Sequence, residues 1–225
     1  DRKSNVTSNS AAADWYGGDF AGLKKKVEEG YFTALGVNTL WISSVSMNTQ
    51  DISYGSNGDT HSYSAYHSYW PVTTFMTANN QSEFTSAESK GVKLTAIEPH
   101  FGTMEELQAL VEACHKRGIR VLVDFAANHV HKDSPMYTKH KDWFNGTGQP
   151  GELCDNNNNW DNNPETCWFS ADLPDINFNN ADARKLMVEH AVWLIKETGV
   201  DGFRVDAVKH IAIQFIKDLR AATDA

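Results

Sequence analysis

No stretch of the 225 residues carries the roughly 18 consecutive apolar residues that a bilayer-spanning helix needs, so no membrane segment is expected. No basic, apolar leader opens the chain either, and a sequence starting on Asp1 is expected to have lost something upstream. Basic residues are scarce: 20 Lys and Arg against 29 Asp and Glu leave a net charge of -9. With a pI near 5.4 and no Lys/Arg cluster, the chain is a poor match for nucleic acid or an anionic membrane surface, and a neutral small molecule or polymer suits it better. Disorder is excluded by a hydrophobic content of 40%, enough for one large core.

Cysteine is also sparse. Of three, Cys114 stands alone in a helical pattern, while Cys154 and Cys167 flank "DNNNNWDNNPET". That Asn- and Asp-rich loop has no hydrophobic core of its own, and a bridge across it contributes about 3 kcal/mol on the loop-entropy model. A bridge favours an oxidising compartment, and two unrelated free thiols are the alternative.

Three short, β-branched runs are present: Val37 to Val45, Ile119 to Ala126 and Val200 to Ala207. Each follows a helix-period stretch that ends in glycine: Asp19 to Leu35 before Gly36, Thr103 to Arg117 before Gly118, and Ala181 to Thr198 before Gly199. A fourth helix is expected from about Val208 to Ala222, and Thr103 with Glu106 has capping-box spacing. Repeated helix, glycine, strand order predicts an α/β fold with a parallel sheet. Two long excursions, Val45 to Gly102 and Val130 to Asn180, leave from strand ends, the side of a parallel barrel where sites are assembled.

Charges sit where apolar residues belong. The second run ends "VLVDFAANH", with Asp124, Asn128 and His129; the third ends "FRVDAVKH". Side chains two apart on a strand share a face, so Arg204 and Asp206 point the same way, roughly 7 Å apart along the backbone. An arginine beside an aspartate favours its ionised form, which can act as a nucleophile; a structural ion pair at the strand mouth is the other reading.

"DFAANH" (Asp124 to His129), "LPDIN" (Leu173 to Asn177) and "GFRVDAVKH" (Gly202 to His210) resemble, in order and spacing, the signature regions of the α-amylase superfamily of (β/α)8-barrel glycoside hydrolases and transglycosylases. "YHSYWP" (Tyr66 to Pro71) and "FGTMEEL" (Phe101 to Leu107) extend the resemblance, which runs from Gly18 to His210. It implies a partial TIM barrel, its second to fourth strands with flanking helices, and a small loop-rich domain after the third. The corresponding division is 1–129 for the first part of the barrel, 130–179 for the inserted domain and 180–225 for the barrel's continuation.

Position by position, the resemblance implies that Asp206 is the nucleophile and Arg204 the residue holding it charged. Tyr69 would stack on the sugar at the cleavage point, His67 and His129 would bond its hydroxyls, and Lys209 and His210 would face the leaving-group side. Asn128, Asp175 and the His210 main-chain carbonyl would hold Ca²⁺, all being hard oxygen donors. Without the resemblance, Asn128 reads as a turn residue, Asp175 as a loop aspartate, and His67 and Tyr69 as core packing.

The departures are specific. The family's general acid, a Glu on the next strand tip, would lie beyond Ala225, and Glu98, Glu165 and Glu197 fall in a loop or on a helix. By the same resemblance the first barrel strand is expected to precede this sequence, Asp1 and Arg2 resembling the residues after it. Ser68 stands where the family usually has Gly, Ala126 and Ala127 replace a bulkier pair, and Met76 to Thr95 is an insertion. The expected function is a segment of a secreted or periplasmic, calcium-dependent α-amylase acting on internal α-1,4 bonds of starch-like α-glucan polysaccharide or maltooligosaccharide, catalytically crippled without the remainder of the barrel. The alternatives are a glucanotransferase or a non-catalytic sugar-binding relative, the latter disfavoured by the intact Asp206 and Arg204.

Overall fold

The computed structural model describes residues 11–55, 58–74 and 88–224. Most of the Met76 to Thr95 insertion, and the Asp1–Arg2 resemblance, therefore lie outside the described residues.

A short strand β1 (Ala11–Ala13) leads to helix α1 (Phe20–Glu28) and a single turn α2 (Tyr31–Ala34). Asp19 caps α1 by accepting from the Gly22 N–H at 2.8 Å. The periodicity predicted one helix from 19 to 35, but Gly30 adopts φ 78, a left-handed conformation that ends α1 and restarts the chain in α2. Strand β2 (Thr39–Ile42) follows. The first excursion folds into the hairpin β3 (Ser53–Tyr54) and β4 (Ser62–Tyr63), with β1 alongside β4, and a second hairpin of β5 (Glu88–Ser89) and β6 (Val92–Lys93).

Helix α3 (Met104–His115) opens on the expected capping box, with the Glu106 N–H donating to Thr103 Oγ1 at 3.2 Å and the Thr103 N–H to Glu106 Oε2 at 2.9 Å. Strand β7 (Arg120–Phe125) then enters the second excursion, which carries α4 (Pro135–Lys139) and α5 (Asn159–Asn162). Here Cys154 and Cys167 form the disulfide, Cα atoms 5.0 Å apart, while Cys114 is a buried free thiol. Helix α6 (Ala181–Thr198) is capped by Asn180 and closed by left-handed Gly199, as its sequence indicated. Strand β8 (Gly202–Val205) precedes a 3-10 turn at Val208–His210 and helix α7 (Ile213–Thr223). The fourth predicted helix thus starts five residues late, because left-handed Ala207 and extended Ala212 bracket that turn.

β2, β7 and β8 form one parallel sheet in that order, with Trp41 opposite Leu122, Leu122 opposite Gly202 and Asp124 opposite Arg204. Since paired residues share a face and alternate along the strand, Trp41, Leu122, Asp124, Gly202 and Arg204 line one face. The other carries Leu40, Val121, Val123 and Phe125, buried in a core with Leu107, Leu110 and Val111 of α3 and Met187, Ala191 and Leu194 of α6. The helices pack in chain order over it, α1 on α3, α3 on α6 and α6 on α7. Parallel strands with sequential helices on one face make an α/β fold of the kind a partial (β/α)8 barrel gives.

Candidate active site

The parallel register brings the charged strand tips together. Asp206 is one residue beyond β8, its N–H bonded to the Phe125 carbonyl at 3.1 Å. The next residue, Ala207, has φ 53, costly for a side chain with a Cβ and characteristic of turns the surrounding structure enforces at sites. Arg204 Nη1 donates to Asp206 Oδ1 at 2.5 Å and lies 3.3 Å from both carboxylate oxygens of buried Asp124 and 3.3 Å from the Tyr69 hydroxyl. Tyr69 in turn donates to Asp124 Oδ2 at 2.6 Å. The positive charge therefore stands between two carboxylates, with a phenol closing the ring of contacts.

Tyr69 owes its position to the turn before it. Ser68 has φ 66 and is wholly buried, which accounts for the family's glycine there. Burial, followed by the bond to Asp124, pushes the Tyr69 phenol up to about 12. His129 Nε2 meets the Tyr69 carbonyl at 3.0 Å, and His67 packs against Trp70 at 4.3 Å between ring centroids. Burial lowers the pKa of both imidazoles, so both are neutral at pH 7 and suited to hydroxyl ligands.

Lys209 and His210 go elsewhere. Exposed Lys209 reaches Asp161 Oδ1 on α5 at 2.8 Å. The His210 imidazole is buried, its Nδ1 on the Pro164 carbonyl at 2.7 Å and its ring edge-on to Trp160 and Phe169. It also lies beside Cys154 and Cys167, whose sulfurs are bonded to each other and offer no thiolate to a metal. Both residues thus tie β8 to the disulfide loop.

Asn128 and Asp175 do meet. The Asn128 amide donates to Asp175 Oδ1 at 3.1 Å, Asn145 donates to Asp175 Oδ2 at 2.8 Å, and Asn145 also reaches the Glu165 carbonyl at 3.2 Å. Burial raises the Asp175 pKa well above the carboxylate range, opposed by those amide bonds. Asn128 Oδ1 is buried and accepts no hydrogen bond among the described residues. A buried carboxyl met, among the described residues, by neutral amides and lying next to an amide oxygen without a donor is a hard-oxygen set that fits Ca²⁺. Glu98 is not a substitute acid at the strand tips: fully buried, it accepts from the Asn48 N–H at 2.9 Å and pairs with His100 Nδ1 at 2.5 Å.

The family model described as the alpha amylase catalytic domain matches residues 3–223. The chain belongs to the alpha-amylase family. It is 35% identical to a cyclomaltodextrin glucanotransferase of Bacillus sp. (strain 6.6.3), over 89% of this chain and 26% of that protein. It is 32% identical to an alpha-amylase of Niallia circulans, over 90% of this chain and 36% of that one. The solved alpha-amylase of Geobacillus thermoleovorans, complexed with acarbose, superposes with a TM-score of 0.69 at 26% identity, over 97% of this chain and 40% of its own. The chain thus spans between a quarter and two fifths of the length of these relatives.

Two participants escaped the sequence reading. Asn145 bridges Asp175 and the Glu165 carbonyl, yet an Asn-Gly pair in a loop signals only a turn. Trp41, with Arg204 Cζ 4.8 Å from its ring centroid, reads in sequence as one more apolar strand residue.

The Tyr69 phenol is raised above its unfolded value near 10 by burial and then by the Asp124 bond, so the protonated phenol carries a stability difference that is present below pH 10 and is lost as pH rises toward 12. The difference in phenolate absorbance between the wild-type chain and Tyr69→Phe should show one tyrosine titrating near 12. A group titrating near 10 in that difference would mean that Tyr69 is not held in this buried, Asp124-bonded position.

Proposed function

We propose that the protein carrying this chain is a retaining α-amylase that hydrolyses internal α-1,4-glucosidic bonds of starch-like polymers. The observation that carries the reading is Arg204 Nη1 on Asp206 Oδ1 at 2.5 Å, at the C-terminal tip of a parallel sheet. A glucosyl unit stacked on Tyr69, its hydroxyls met by neutral His67 and His129, would present its anomeric carbon to Asp206. The carboxylate oxygen bonds that carbon as the glycosidic C–O bond breaks, and the departing oxygen takes a proton from a general acid, by family resemblance a Glu beyond Ala225. Water, activated by the resulting carboxylate, then displaces Asp206, and two inversions leave the α anomer.

Ca²⁺ would be held by Asn128, Asp175 and the His210 carbonyl, neutralising the buried Asp175 and fastening the 130–179 segment to the strand tips. The disulfide supports a secreted or periplasmic location. A second reading, transfer of the glucosyl unit to another sugar, is favoured by the likeness to a cyclomaltodextrin glucanotransferase. The two readings diverge only at deglycosylation, where water or a sugar hydroxyl attacks.

Proton NMR of maltooligosaccharide cleavage should show the α anomer appearing first, with Asp206→Asn slowed by about 10⁴-fold or more; the β anomer appearing first rules out the glycosyl-enzyme route, and longer oligosaccharides appearing alongside shorter ones decide for transfer. Chelation should lower the unfolding temperature and added Ca²⁺, but not Mg²⁺, should restore it in the wild type and less so in Asn128→Ala. An unfolding temperature indifferent to both treatments removes the metal from the account.

A further inference from the structure

The hydrogen bonds that Arg204 makes at the strand tips run through one atom. Arg204 Nη1 carries two hydrogens, yet it faces Asp206 Oδ1, both Asp124 oxygens and the Tyr69 hydroxyl, at 2.5 to 3.3 Å. A guanidinium held at one nitrogen can pivot about it. A small rotation would carry Nη1 onto Asp124, which is almost fully buried, at the expense of Asp206, whose side chain keeps 26% of its exposure. The ring of contacts fixes a point but not a plane.

The plane is set from β2. Trp41 shares the inner face of the sheet with Asp124 and Arg204, and its indole lies under the guanidinium, 4.8 Å from Cζ to the ring centroid. Among the described residues the ring contact that Trp41 makes on this face is with Arg204, while its neighbour Leu40 packs into the core on the opposite face. An arginine stacks on an aromatic face through both its charge and its flat π system, so the contact resists tilting as well as withdrawal.

We propose that Trp41 is a positioning residue for the Arg204–Asp206 pair, its indole face fixing the guanidinium plane so that one nitrogen serves Asp206, Asp124 and Tyr69 together. The role rests on the proposed glycosyl-transfer chemistry of Asp206. It concerns the transition state rather than substrate capture: Trp41 touches Arg204, whose orientation governs how Asp206 is aimed at the anomeric carbon. Misaiming an attacking group by an ångström costs on the order of 10²-fold in rate.

The test uses the protein carrying this chain, with Trp41→Phe, which keeps a π face, and Trp41→Met, which keeps bulk without one. Maltooligosaccharide cleavage by Trp41→Met should fall about 10- to 100-fold in kcat with KM within about threefold, and the acid limb of its kcat/KM profile should move to higher pH. Trp41→Phe should recover most of the loss and the wild-type profile. Phenylglyoxal labelling of Arg204, mapped by mass spectrometry, should rise severalfold in Trp41→Met, a readout independent of turnover; Trp41→Leu replaces it should the Met variant not fold. Should the wild type itself cleave no α-glucan, the proposed function falls and this role with it. An active wild type matched in kcat by Trp41→Met, or Phe and Met variants equally impaired with unshifted profiles, overturns the Trp41 role alone.

Discussion

The arrangement at the strand tips depends on a single cation placed between two carboxylates. Asp124 is buried and Asp206 is not, so they are unequal claims on Arg204. Without the arginine the sheet would end in two like charges, one in a low-dielectric setting, but the Arg204 side chain is 39% exposed, so solvent screens much of the stability its pairing contributes. The pair is better understood as a device for aim than for stability. Tyr69 takes up one Asp124 oxygen, leaving Arg204 the shorter contact to Asp206. The left-handed turn at Ala207 then stops the strand where the Asp206 carboxylate stands clear of the core.

The long segment after β7 is attached to this centre from several directions. The His131 N–H donates to the Pro71 carbonyl, Lys209 pairs with Asp161, and His210 bonds the Pro164 carbonyl. Within the segment the disulfide closes a stretch whose side chains are largely Asn and Asp and therefore cannot collapse on themselves. Where the segment returns to β7, Asn128, Asn145 and Asp175 form a hydrogen-bonded cluster in which, among the described residues, the buried Asp175 carboxyl is met by neutral amides. A bound cation there would complete what the amides begin.

Much of this was legible in the sequence because the signals were local. Two-residue spacing put Arg204 and Asp206 on one face, Thr103 and Glu106 announced α3, and Gly199 announced the end of α6, each a case where backbone chemistry admits few alternatives. The readings that changed depended on tertiary context. Gly30 inside an amphipathic pattern reads equally as a tolerated glycine or a stop, and Ala207, from a residue type that favours helix, is held left-handed by its surroundings. The register that sets Trp41 beneath Arg204 is a property of strand pairing, which no single strand encodes. For the same reason the sequence carried no sign that the His210 imidazole turns to the loop.

The central claim, that Asp206 is a nucleophile held ready by Arg204, is tested most directly by trapping. With 5-fluoro-α-D-glucosyl fluoride the departing fluoride needs no proton, so the general acid is taken out of the measurement and slow turnover lets the glycosyl-enzyme accumulate. Peptide mass spectrometry of the protein carrying this chain should find one fluoroglucosyl adduct on Asp206, formed more slowly in Arg204→Lys and absent in Asp206→Asn. An adduct on any other carboxylate, or labelling of Arg204→Lys at the wild-type rate, would contradict the account.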